Sequence, residues 1–131
     1  MKRTLSIVSV IALVAILAVA LVACVPSDPT KAVANLEEAG YITSYIKASD
    51  GTGVQLGLNA MYEGCVGHVH GTFISTGGSE SIDIFYFNDA NDAKACHEEL
   101  KEKYAEDEEI QVGKSGKVVY KGTEAAIKAA Q

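Results

Sequence analysis

The sequence predicts an α+β fold: a small antiparallel sheet with helices packed mainly on one face. Three observations carry this reading. Segments that alternate with period two, the mark of strands, are interleaved with segments whose apolar residues recur at helical spacing. Glycine-bearing turns at 77–78 and 115–116 join neighbouring strand segments into hairpins, which makes their pairing antiparallel. The chain beyond its apolar amino end, about a hundred residues, suffices for one hydrophobic core and no second domain.

The elements follow in order. Asp28 is placed to cap a helix, with Pro29 at the first helical position, where its missing N–H costs nothing. Ala32, Val33, Leu36 and Ala39 recur along that helix until Gly40 stops it. Residues 41–48 alternate, with Ile42, Ile46 and Ala48 opposite Tyr41, Thr43, Tyr45 and Lys47, as a strand requires. A turn at 50–53 leads to a short helix over 54–63 that carries Val54, Leu58 and Met61 inward, with Gly57 weakening it. Residues 68–76 and 81–87 form a hairpin. Asp89 caps a helix lined by Ala93, Cys96, Leu100 and Tyr104, which ends in the acidic run 106–109. A second hairpin, 110–112 with 117–121, precedes a closing helix, 124–130, capped by Thr123. The order is α, β, α, β, β, α, β, β, α. Its middle has the β-α-β-β-α-β arrangement of the ferredoxin-like fold, with extra terminal helices.

The amino end has a different job. Lys2 and Arg3 precede an apolar run, 5–23, broken only by Ser6 and Ser9 and long enough to enter a bilayer as a helix. It ends in Leu21-Val22-Ala23-Cys24, which resembles the lipobox of bacterial lipoproteins at all four positions. The resemblance implies that 1–23 is removed as a signal peptide and that a diacylglycerol is linked to the Cys24 thiol. Its two acyl chains suffice for stable anchoring, where a single chain such as one palmitate would be marginal. It implies an extracytoplasmic protein held to the cell membrane by lipid. The alternative is an uncleaved transmembrane anchor, which also places the domain outside. Residues 24–29 then read as a tether and 30–131 as the single domain.

Charge narrows the partners. Setting aside Lys2 and Arg3 leaves nine lysines, no arginine and all seventeen acids, a net charge of −8. Such a surface repels phosphate backbones and lacks the residue best suited to pair with them, so nucleic acid is excluded as a partner. Catalytic signatures are also missing. The Gly51-Thr52-Gly53 segment has Leu56 where a dinucleotide fingerprint needs its third glycine, and Gly77-Gly78-Ser79 lacks the spacing of a nucleophile elbow. No catalytic residue and no cofactor is expected.

Three constellations remain. Cys65 and Cys96 form an even pair in an oxidising compartment, and a disulfide between them would close a loop of about 30 residues. Alternatively Cys65, His68, His70, Cys96 and His97 are soft or borderline ligands, and His68 and His70, two apart on a strand, share a face. Tyr41, Tyr45, Phe85 and Phe87 would share the open face of a ferredoxin-like sheet, where the first and third strands are neighbours, and form a binding surface. The leading expectation is a non-enzymatic binding module of the cell envelope, taking another envelope protein, a peptide or a small ligand. The alternatives are a metal-binding protein that uses the cysteine and histidine cluster, and an unrecognised hydrolase.

Overall fold

A computed structural model describes residues 24–131; the expected signal segment, 1–23, lies outside the described residues. The elements are α1 (Pro29–Glu38), β1 (Ile42–Lys47), a 3-10 turn (Ala48–Asp50), α2 (Thr52–Met61), β2 (Cys65–Ser75), β3 (Gly78–Phe87), α3 (Ala90–Lys103), β4 (Gln111–Ser115), β5 (Val118–Gly122) and α4 (Glu124–Ala130). All three expected caps form. Asp28 Oδ1 accepts from Thr30 N at 3.0 Å, Asp89 Oδ1 from Asn91 N at 2.7 Å, and Thr123 Oγ1 from Ala126 N at 3.4 Å.

The fold is α+β, with a five-stranded antiparallel sheet in the order β1-β2-β3-β5-β4. That order is not ferredoxin-like. In the ferredoxin-like arrangement the first helix crosses over to a parallel strand and leaves a gap that the third strand fills. Here Lys47 pairs with Gly67, so α2 leaves and returns at the same end of the sheet, and β1 and β2 pair directly as antiparallel neighbours. The helical excursion replaces a hairpin loop rather than making a crossover.

Helices cover both faces, two on each, rather than mainly one. On the first face α1 and α4 bury Ala32, Leu36, Ala126, Ile127 and Ala130 against Val69, Ile82, Ile84, Tyr86 and Val118. Gly71 makes room for this packing, since a Cβ there would stand 3.1 Å from Leu36 Cδ1. On the second face α2 and α3 bury Leu58, Ala93, Cys96 and Leu100 against Cys65, Phe85, Phe87 and Val119. The physical reason lies in β3, whose run Ile84-Phe85-Tyr86-Phe87 is apolar on both sides, as in strands covered on both faces.

Two further expectations change. Residues 24–29 do not behave as a loose tether, because Val25 is 2% exposed and belongs to the first-face core. The expected Cys65–Cys96 disulfide is not formed; both thiols are free and buried, in the same second-face cluster. The thiols pack there as small apolar groups beside Leu58, Ala93 and Leu100, and Cys65 Sγ donates weakly to Gly67 O at 3.3 Å. Burial pushes the Cys65 thiol up, and burial with the neighbouring Cys65 pushes Cys96 up to about 12.

Candidate metal centre

Register builds the site. His70 lies opposite Asp83 across β2 and β3, and Asp83 lies opposite Lys121 across β3 and β5. These three side chains stand in a row on the second face, with His68 two residues along β2 on the same side. α2 and α3 cover the neighbouring apolar part of that face and stop short of the row. A shallow cavity of about 260 Å³ opens there, lined by Met61, Tyr62, His68, Asp83, Phe85 and Lys121. Beyond it the uncovered sheet shows Ile42 and Ile74, both about three-quarters exposed.

Asp83 is the hub. Its Oδ1 accepts from His68 Nε2 at 2.8 Å and His70 Nδ1 at 2.9 Å, while Oδ2 faces Lys121 Nζ at 3.1 Å. An ionised carboxylate only accepts, so both imidazole nitrogens carry protons in this arrangement. With His70 neutral, its Nε2 accepts from the Thr72 hydroxyl at 2.8 Å. Burial by itself would raise the Asp83 carboxyl, but the hydrogen bonds from His68 and His70 and the Lys121 charge outweigh it and hold it far below the usual carboxylate range. Lys121 is likewise opposed by burial, yet its hydrogen bond to Tyr104 and the Asp83 carboxylate raise it. Asp83 and Lys121 are therefore both charged at neutral pH. The His68 ring stacks on Phe85, with centroids 4.9 Å apart and planes 8° off parallel, which fixes its orientation.

Among the described residues, His68, His70 and Asp83 are the group whose ligand atoms converge, all within 4.8 Å of one another. Two imidazoles and one carboxylate on one side of a prospective ion suit zinc, iron, nickel or copper. With metal bonds of about 2.0 to 2.1 Å, adjacent ligand atoms stand about 2.9 Å apart in an octahedron and about 3.3 Å apart in a tetrahedron. The two edges that meet at Asp83 Oδ1, 2.8 and 2.9 Å, are already close to those values. The surroundings also suit ligation. Moving the His70 proton to Nε2 frees Nδ1 for a metal and lets Nε2–H donate to Thr72 Oγ1, and Lys121 holds Oδ2 while Oδ1 faces the ion. Lys121 also opposes a dication by its charge, which limits affinity without occupying a ligand position.

No protein family, no curated protein and no solved structure matches this chain, so the site stands on its own chemistry.

Of the five metal ligands read from the sequence, the fold brings only His68 and His70 into this site. Cys65 and Cys96 are sealed in the apolar core, 3% exposed each. His97 is on α3, outside the cluster, where burial, with Lys101 and Lys114, pushes its imidazole below the ordinary value. Asp83, Thr72 and Lys121 were missed. The available signal was a lone aspartate inside an apolar strand, on the side opposite Ile82 and Ile84.

The expected aromatic surface is not one surface. Tyr41 and Tyr45 belong to the first-face core and Phe85 and Phe87 to the second. Tyr41, Phe85 and Phe87 are 7%, 4% and 5% exposed, because the sheet order separates β1 from β3 and helices cover both faces. Tyr41 is further tied down by its hydroxyl, which donates to Glu80 Oε2 at 2.7 Å.

Proposed function

We propose that this is a non-enzymatic binding protein of the cell envelope, anchored by lipid at Cys24, whose ligand is a divalent first-row transition metal ion held by His68, His70 and Asp83. The observation that carries the ligand assignment is the convergence of two imidazole nitrogens on one carboxylate oxygen at 2.8 and 2.9 Å, with the other carboxylate oxygen and the far His70 nitrogen each held by a partner. The lipobox supports the anchoring. Among the described residues no helix is long and apolar enough to cross a membrane.

Binding is favoured over hydrolysis by what surrounds the ligands. Three protein ligands leave coordination positions open, as in hydrolytic zinc sites. Activating a substrate there needs a further acid or base within reach. The cavity instead offers Met61, Phe85 and the Tyr62 phenol, which burial raises, and its Lys121 is engaged by Asp83. An open three-ligand site whose lining keeps no carboxylate or imidazole free to act as a base suits reversible capture and release.

The test is calorimetric titration of zinc into the full lipoprotein, purified in detergent and stripped with chelator. One ion per chain is expected, with binding weakened at least tenfold by His68→Ala, His70→Ala or Asp83→Asn. Zinc uptake that is absent, or indifferent to all three changes, refutes the assignment.

A further inference from the structure

The junction between anchor and body contains no free segment. Val25, the residue after the lipid-bearing cysteine, is 2% exposed in the first-face core. Pro26 O accepts from the Tyr86 hydroxyl at 3.5 Å, and Asp28 caps α1, so the chain is held from its first residue beyond Cys24. Cys24 itself is exposed. Its Cα lies one peptide step, about 3.8 Å, from that of a buried residue. A diacylglycerol on its sulfur therefore begins within on the order of 10 Å of the folded body.

The position of the anchor then selects which end of the body lies on the bilayer. The β4–β5 hairpin, which shares a cavity with Ser27 and Pro29 through Ser115, Gly116 and Lys117, carries Lys114 and Lys117, and no acid occurs from 110 to 123. The opposite end of the sheet, around the β2–β3 turn, gathers Glu80, Glu108, Glu109 and Glu124. The end away from the anchor is thus strongly acidic, whereas the anchor end sets Lys114 and Lys117 beside Asp28, Asp89 and Asp92 and is mixed in charge.

Resting on the lipid-anchor reading above, we infer that the buried Val25 clamps the acylated Cys24 to the body, so that the β4–β5 hairpin lies against the lipid headgroups and the acidic end points away from the membrane. The partner is the bilayer surface, with Lys114 and Lys117 near its phosphates. The metal-binding row, midway along the strands, is then held at a set height above the membrane rather than carried on a swinging tether.

The experiment uses the full lipoprotein in vesicles of phosphatidylcholine with a minority of phosphatidylglycerol and a nitroxide on some headgroups. A fluorophore is placed at Lys117→Cys or at Thr76→Cys, Cys65 and Cys96 being shielded by burial. Quenching is expected to be several-fold stronger at 117 than at 76. A flexible Gly/Ser insertion between Cys24 and Val25, which leaves the Val25 plug in place, should erase the difference; Val25→Ser should reduce it. Equal quenching at the two positions in the parent protein overturns the clamp while leaving the anchor intact. A mass spectrum lacking diacylglycerol on Cys24 overturns the anchor and the clamp together.

Discussion

Replacing Asp83 with asparagine tests the polar row directly, because it keeps the shape of the side chain and removes only its charge. Three donors converge on this carboxylate at 2.8, 2.9 and 3.1 Å. Hydrogen bonds to a charged group contribute about 1.5 to 3 kcal/mol each and neutral ones about half that. The amide keeps one acceptor oxygen for the histidines but turns an NH₂ toward the Lys121 ammonium, so one bond becomes a donor–donor contact and two lose their charge assistance. His70 is 43% exposed and Lys121 22%, and water screens part of the loss. The net cost at pH 7 without metal is about 2 to 3 kcal/mol, which for a domain near 100 residues lowers the melting temperature by roughly 10 to 20 °C. Acid sets the sign. A carboxyl held below its ordinary value of 3.8 in the folded state contributes stability that is fully present above that pH and is lost as the pH falls through the lower folded value. The gap between the parent and the variant should hold from pH 7 to about 5 and narrow progressively below about 4. Urea unfolding followed by circular dichroism across this range measures it. A variant within about 0.5 kcal/mol of the parent at pH 7, or a gap that widens as the pH falls below about 4, would refute the hub role given to Asp83.

Three further outcomes are expected. Thr72→Val, which removes the hydroxyl at His70 Nε2, should weaken zinc binding about 10-fold or more, whereas His97→Ala should leave it unchanged; calorimetry separates the two. Cys65 and Cys96 should resist alkylation in the folded protein, with their raised thiols buried, and should both react once guanidinium unfolds it; a bonded pair would stay unreactive until reduced. Phe87→Ser should cost about 3 to 5 kcal/mol in chemical denaturation, since its ring is core; a cost below 1 kcal/mol would return it to the surface.

The site was half legible in the sequence, for a definite reason. His68 and His70 could be placed together because period two within one strand decides their side from sequence alone. Asp83 and Lys121 lie 13 or more residues beyond His70, and their proximity depends on registers that pair His70 with Asp83 and Asp83 with Lys121. A one-residue slip of either pairing would send one partner to the opposite face. Cys65 and Cys96 were grouped with the histidines by ligand chemistry, but chemistry does not measure burial. The helices that seal the two thiols end before the polar row begins.

Local patterning alone determined the helices, the two hairpins and their caps, because Asp28, Asp89, Thr123 and the turn glycines act on neighbours within a few residues. It also determined the strong acidity of the domain and the lipobox that ends at Cys24. Tertiary structure decided the rest. Whether α2 crosses over or returns to its starting end depends on the competition between β1 and β3 for the edges of β2, which no local period records. Whether Phe85 and Phe87 are surface or core depends on which helices reach the second face, and Val25 becomes part of the body only because the first-face core has room for it. Each of these outcomes is set by long-range burial, whose free energy comes from surfaces that meet only after the chain has folded.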